Sequence, residues 1–254
     1  MKKYRGFSTI GVIGIIAVVA AIGTAGFLVI NGLINATNYN DYDFYSIIKP
    51  DVHNGYIGDN IKGNPDAPAV VFEYADFQCP GCASVNTRVN SAIEKSEDKL
   101  AIVYRNFILS YHPNGTAAAS AAQAAGLQGY YKPYADKLFK EQSEWGYASA
   151  SGRTVLFKKY FEEVTDGKGN IEQFVSDLGS ERVSQKISFD MGIGKRLDIP
   201  STPAFYVDGQ YIDWTNKEGG SITVNGRLIT WETTLTGDQF EDLLVRIAKA
   251  KTED

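Results

Sequence analysis

Cysteine and histidine are almost missing from this 254-residue chain, which holds two of each. So few cysteines exclude a multi-disulfide scaffold and a four-cysteine zinc site. His53 and His112 lack finger-like spacing, so they do not complete a metal site with the cysteines either. A basic excess is lacking too. Lys plus Arg is 25 against 30 for Asp plus Glu, and without Lys2, Lys3 and Arg5 the balance is 22 against 30. A body this acidic has no surplus cations with which to displace counterions from phosphates, which argues against nucleic acid as a partner. No internal repeat is visible. Apolar residues make up 44% and charged residues 22%, the proportions of a folded protein.

One long apolar run stands apart. No charge occurs from Gly6 through Asn40, and the apolar core runs from about Thr9 to Ile30. A helix of that length rises roughly 33 Å, enough to cross a hydrocarbon layer. Its exit, Gly32-Leu33-Ile34-Asn35-Ala36, offers no clean small-x-small cleavage site. Residues 9–30 therefore read as an uncleaved transmembrane signal anchor, with a cleaved signal peptide as the alternative. The basic residues of 1–8 stay in the cytoplasm, and the rest, beginning with Asp41 and Asp43, faces outward. The expected location is the cell membrane, single-pass, with the folded part extracytoplasmic. Residues 31–59, rich in Asn, Asp, Tyr and Gly, read as a tether on which Tyr42, Phe44, Tyr45, Ile47 and Ile48 could dock against the body.

Beyond the tether, Pro68 to Ala75 is a short apolar run bounded by Pro and Asp, the pattern of a buried strand. Cys79-Pro80-Gly81-Cys82 opens a helical segment whose inward face is Val85, Val89 and Ile93, and Leu100 to Phe107 is the next strand. Strand, helix and strand at this spacing suggest a parallel pair. From about 112 to 197 the pattern is helical: an Ala-rich stretch over 117–125, then 130–145, 152–163, 171–178 and 180–197. Pro203 to Val207 is a strand, Asp208-Gly209 a hairpin turn and Gln210 to Ile212 its return. Another hairpin turns at Asn225-Gly226, within a segment 213–236 for which no role is apparent. An amphipathic helix over 237–250 closes the chain with Phe240, Leu243, Leu244 and Ile247 on one face. The order describes one α/β domain with a helical insertion.

The chemistry gathers at Cys79 and Cys82. A Cys-x-x-Cys at a strand-to-helix junction sets the first thiol beside unpaired helix N–H groups and the positive end of the dipole, which favours thiolate. Pro80 suits the first helical turn, where its missing N–H had no acceptor anyway. Cys82, one turn on, can close a small disulfide ring. Three readings compete: a redox pair, a static disulfide and half of a metal site. A static bridge over so short a loop constrains the unfolded chain little, and a metal would need two further ligands that the sequence does not offer. Redox exchange is the favoured reading, with Cys79 the attacked or attacking sulfur and Cys82 the resolving one.

The run Phe72-Glu73-Tyr74-Ala75-Asp76-Phe77-Gln78-Cys79-Pro80-Gly81-Cys82 resembles the active-site segment of the DsbA-like thiol:disulfide oxidoreductases of the thioredoxin superfamily. Ser201-Thr202-Pro203-Ala204-Phe205-Tyr206-Val207 resembles their cis-proline segment, and Lys62-Gly63-Asn64-Pro65-Asp66-Ala67-Pro68 their lead-in to the first strand. His112-Pro113-Asn114 with the Ala-rich helix, and Gln128-Gly129-Tyr130 onward, resemble their helical insertion. The resemblance implies a thioredoxin fold over residues 60–254 with an inserted helical subdomain, preceded by the one transmembrane helix.

Roles follow from the same resemblance. Cys79 and Cys82 would be catalytic, with Glu73 as a buried acid beneath the sulfurs that exchanges a proton with Cys82. Thr202-Pro203 would be a cis peptide facing the pair, and Phe77, Pro80, Gly81, Thr202 and Pro203 would line the substrate side. Strongly oxidising members carry His where this chain has Gly81, so Gly81 implies a higher Cys79 pKa and a less oxidising disulfide. His112 reads as a loop residue. The implied activity is formation of disulfides in exported proteins, with a membrane redox partner of the DsbB or vitamin K epoxide reductase type and no bound cofactor. A reductase or isomerase running the exchange backwards, and a surface-anchored binding module with an inert disulfide, are the alternatives.

Overall fold

The computed structural model describes residues 37–253. Its centre is a five-stranded sheet of β1 (Asn60–Gly63), β2 (Ala69–Ala75), β3 (Leu100–Asn106), β4 (Ala204–Val207) and β5 (Gln210–Tyr211), in the order β1-β3-β2-β4-β5. β2 runs parallel to β3, and the other pairings are antiparallel. Helix α1 (Pro80–Lys95) joins the parallel pair, as the spacing of the two apolar runs implied. Between β3 and β4 comes the helical insertion: α2 (Gly115–Gly126), α3 (Tyr131–Lys140), α4 (Gln142–Trp145), α5 (Ala150–Thr165), α6 (Ile171–Asp177) and α7 (Glu181–Arg196). A separate hairpin, β6 (Gly220–Val224) with β7 (Arg227–Trp231), and helix α8 (Gly237–Thr252) complete the chain. This is the α/β thioredoxin-like fold with a helical insertion.

Alternation along the strands divides the core. Val71 and Ile102 of the sheet pack with Val85 and Val89 of α1 and with Phe240, Leu244 and Ile247 of α8. Residues one step along, Phe72, Tyr74 and Val103, face the other way onto Phe189 and Ile193 of α7. The insertion packs through the small faces of Ala118, Ala121, Ala122 and Ala125, which let α3, with its Tyr134 and Leu138, approach closely. Residues 213–236, left without a role by the sequence, place Ile222, Val224, Ile229 and Trp231 against this α8 cluster. The start of α8 is fixed by a capping box in which Thr236 and Gln239 satisfy each other's backbone N–H groups, an arrangement worth about 1 kcal/mol.

Three expectations need revision. The helix read over 130–145 breaks at Glu141 into α3 and α4, which lets Trp145 turn into the core, where it is fully buried. The segment leading into β2 shows no strand pattern in sequence, yet its first part, β1, pairs with β3 from Asn60 to Gly63. The tether, where described, does not stand off the body but docks on it, with Tyr42, Phe44, Ile47 and Ile48 packed against the core as their composition allowed. Arg105 donates to the carbonyls of Phe44 (2.6 Å) and Ser46 (2.9 Å), and Ile48 N donates to Asp59, so residues from Tyr39 onward belong to the folded unit. Beneath them lies a buried ionic group in which Asp59 meets Arg105 at 2.6 Å and Lys186 at 3.2 Å, and Lys186 meets Asp190 at 2.7 Å. Burial opposes the Asp59 charge, but Lys186 and Arg105 outweigh it and hold the carboxyl below its ordinary value. The stretch 9–30, expected to be a transmembrane anchor, lies outside the described residues. Among the described residues no helix is long and apolar enough to cross a membrane.

Candidate active site

β2 ends at Ala75, and the three residues Asp76, Phe77 and Gln78 carry the chain to Cys79 at the N-cap of α1, with Pro80 in the first turn. No side chain caps this helix, so its first N–H groups remain for the sulfur. The loop is held from both sides. Asp76, fully buried, accepts from Gln78 N (2.8 Å) and Leu109 N (2.9 Å), and its Oδ2 lies 2.7 Å from His112 Nδ1. His112 thus does more than occupy a loop. Gln78 donates to Gly146 O (2.6 Å) and accepts from Asn114 N (2.6 Å), and Gln142 Nε2 donates to the carbonyls of Phe77 (2.7 Å) and Cys79 (3.0 Å). Side chains of the insertion therefore aim the reactive loop.

Both cysteines are free thiols, Cys82 fully buried and Cys79 with 7% of its surface exposed. Their proton affinities diverge. A hydrogen bond from the Cys82 thiol, aided by Thr202 and the N–H groups of Cys82 and Gly81, outweighs burial and lowers Cys79 to about 5. Burial pushes Cys82 well up, and the charges of Cys79 and Glu73 push it further. One sulfur is ionised at neutral pH while its neighbour keeps its proton.

Thr202-Pro203 is a cis peptide, and Cys79 Sγ lies 3.3 Å from the Thr202 carbonyl oxygen. Gly81 completes the mouth: a Cβ there would stand 3.4 Å from Pro203 Cδ and 3.6 Å from Cys79 Sγ. Pro80 is exposed beside it. The structure thus brings Cys79, Pro80, Gly81, Thr202 and Pro203 together. It does not bring Phe77 to that surface. The Phe77 ring is buried, stacked on Tyr104 at 5.0 Å and tilted against Phe139 at 4.9 Å, because the loop turns its side chain down into the insertion core. Phe77 is a packing residue that offers only its carbonyl to Gln142.

Glu73 lies on β2, 1% exposed, and its Oε1 has no hydrogen-bond partner among the described residues. Burial raises it to about 7, against the pull of Lys62 and with the push of Asp136. Lys62 is fully buried on β1 and donates to Asn86 Oδ1 (2.6 Å) and Asp136 Oδ1 (3.0 Å). Asn86 and Asn90 of α1 also donate to Asp136 Oδ1, at 3.1 and 3.0 Å. Sequence reasoning missed Lys62, Asp136, Gln78 and Gln142. Lysine and carboxylate side chains are rarely buried, and nothing in the local spacing announces an exception.

The comparisons agree with this architecture. Residues 57–220, more than half of the chain, match a family model described as thioredoxin. Oxidised BdbD from Bacillus subtilis superposes with a TM-score of 0.58 at 17% identity, over 83% of this chain and 100% of that one. Wolbachia pipientis alpha-DsbA1 does so with 0.55 at 21%, over 76% and 92%. At these identities the likeness is one of fold. A curated relative, Na(+)/H(+) antiporter NhaA 1 of Mycolicibacterium gilvum, is 33% identical over 161 residues, 60% of this chain and 24% of that protein. The chain thus spans about a quarter of the length of that relative. With a strand-to-helix Cys-x-x-Cys, a facing cis-proline and a family match across the whole site, the chain belongs to the thioredoxin family.

Proposed function

We propose that the protein is a DsbA-like thiol:disulfide oxidoreductase that forms disulfides in exported proteins, working outside the cytoplasm from a membrane anchor at residues 9–30. The observation that carries this reading is the opposite proton preference of two adjacent sulfurs, Cys79 at about 5 and Cys82 well above its ordinary value. An ionised, partly accessible Cys79 is a good leaving and attacking group, and a buried protonated Cys82 stays out of reach of clients. In the oxidising direction a client thiolate attacks Cys79 of the disulfide, and Cys82 departs and takes a proton. A second client thiol then attacks the client sulfur of the mixed disulfide and releases Cys79 as thiolate.

The value of about 5 for Cys79 supports that direction, because it falls between strong oxidants near 3.5 and thioredoxin near 7. Stabilising the thiolate stabilises the reduced pair and makes the disulfide the better oxidant. Gly81 alone implied a weaker thiolate, and the bonds from Cys82 and Thr202 offset the missing imidazole. Each turnover leaves the pair reduced, so an oxidised membrane partner of the DsbB or vitamin K epoxide reductase type recharges it.

The test is oxidation of a reduced, unfolded client by the full chain, with redox titration against glutathione. Activity should vanish in Cys79→Ser, and Cys82→Ala, charged as the Cys79–glutathione disulfide by oxidised glutathione, should accumulate a client joined to Cys79 as the client thiolate displaces glutathione. An alkylation midpoint for Cys79 near that of a free thiol, about 8.5, with no trapped adduct, would overturn the proposal.

A further inference from the structure

Glu73 Oε1 is one of several buried polar atoms without a hydrogen-bond partner among the described residues, and Tyr104 Oη, Tyr131 Oη and Gln123 Nε2 share that condition. The sheet register brings them into one region. Across the face beneath α1, Asn60 stands opposite Tyr104, and Tyr104 opposite Glu73. Side chains directly opposite on neighbouring strands have Cβ atoms about 5 Å apart. A polar row therefore crosses this face, and in the next row buried Lys62 stands opposite Ile102, with Val71 beyond it. The Tyr131 ring of α3 lies 6.0 Å from that of Tyr104. Gln123 of α2 accepts from Asn60 Nδ2 at 3.2 Å, and Asn60 is half-buried on the outermost strand. Buried polar atoms in folded proteins nearly always have partners, and a group of this kind, holding both donors and acceptors, is what ordered water bridges.

We propose that Tyr104 and Tyr131, bridged by ordered water, are positioning residues for the proton path between Glu73 and the outer edge of β1, where half-buried Asn60, bonded to the buried Gln123, reaches solvent. The proposal rests on reading Glu73 as the proton partner of Cys82. When a client thiolate attacks, the bond from client sulfur to Cys79 forms and the Cys79–Cys82 bond breaks. The electron pair stays on Cys82, which takes the Glu73 carboxyl proton. The Glu73 carboxylate then recovers a proton from bulk water, handed from hydroxyl to hydroxyl, each giving one and taking one. Nothing else is consumed. Burial holds Glu73 at about 7, so it gains and loses a proton near neutrality. Burial also keeps both phenols neutral, so they pass protons without storing charge.

Other groups face Glu73 as well: Lys62 from β1, Asp136 from α3 and the sulfur of Cys82 from α1. Tyr-to-Phe exchange leaves all of these in place and removes only the hydroxyl. The test uses the full chain in single-turnover reaction of its disulfide with glutathione between pH 6 and 9, in ordinary and heavy water. Tyr104→Phe should slow the proton-linked step by about tenfold or more and shift its pH profile. The infrared carbonyl band of protonated Glu73 should move, while the alkylation midpoint of Cys79 stays fixed. Tyr131→Phe provides the same readings should Tyr104→Phe not fold.

Parental rates and profiles in both variants overturn the path. So does a higher melting temperature in Tyr104→Phe, because removing a hydroxyl that truly lacks a partner relieves the fold, whereas removing a water-bonded one does not. Glu73→Gln separates the two readings. If it slows the step while the tyrosine variants do not, only the path fails; if it leaves the step unchanged, Glu73 is no proton partner and the path falls with it.

Discussion

Cys79 and Thr202 meet through two different groups of the same threonine. The carbonyl oxygen, 3.3 Å from Sγ, can accept from the thiol, and the side chain favours the thiolate. The hydroxyl has no hydrogen-bond partner among the described residues, so it is spare to donate to a thiolate at Sγ. Thr202→Val keeps the shape and the carbonyl and deletes that hydroxyl. The alkylation midpoint of Cys79 should rise from about 5, by roughly one pH unit for a hydrogen bond to a charged group. The disulfide should become correspondingly less oxidising, read by glutathione titration. An unchanged midpoint would remove Thr202 from the account.

Gly81→His introduces the opposite change. The new Cβ would sit 3.6 Å from Cys79 Sγ with room beside Pro203, so an imidazolium could lie over the thiolate. The potential should move in the oxidising direction by about 30 mV for each tenfold gain in thiolate stability. A potential that stays put would show that the mouth turns the ring away.

Glu73 links the site to pH-dependent stability. Its carboxyl is raised from 4.5 to about 7 on folding, because burial disfavours the charge. Between those values the folded state binds the proton that the unfolded chain has released, so stability falls as pH rises through that window. The loss is on the order of 3 kcal/mol. Glu73→Gln removes the titration, so urea unfolding of the variant between pH 4.5 and 8 should lack this slope and show higher stability than the parent at pH 8. Parallel curves for variant and parent would mean Glu73 is not buried as charge-free acid.

Lys186 stands between Asp59 and Asp190 with its side chain fully buried. Lys186→Met leaves Arg105 to offset two carboxylates and should cost about 3–5 kcal/mol, the usual penalty for orphaning a buried charge. Denaturant midpoints would show it. Truncation to begin at residue 60 removes Asp59 together with the Phe44 and Ser46 carbonyls, and should be at least as damaging, where a free tether would be dispensable.

What the residues revealed in advance was what short-range chemistry dictates. The run Ala69–Ala75, the Cys-x-x-Cys at a helix start and the amphipathic closing helix all follow from local pattern, and each stands where that pattern put it. Contacts far apart in sequence stayed hidden. Asn60–Gly63 has no alternation and ends in glycine, and only pairing with β3 makes it a strand. Residues 39–59 look like a linker by composition, yet the partners that fix them, Arg105 and Lys186, lie 46 and 127 positions from Asp59. Phe77 looked like part of the docking surface because it neighbours the cysteines, and the loop geometry sends its ring inward.

Gln142 and Gln78 carry one more implication. The main-chain oxygens of Phe77 and Cys79 are gripped by an amide from the inserted helices, and Gln78 is locked to Gly146 and Asn114 in return. A core trimmed of that insertion would retain both sulfurs and the facing proline, yet lose the clasp that sets their bearing. Reactivity and the integrity of the added helices are thereby a single heritable trait, and drift in one must be answered in the other.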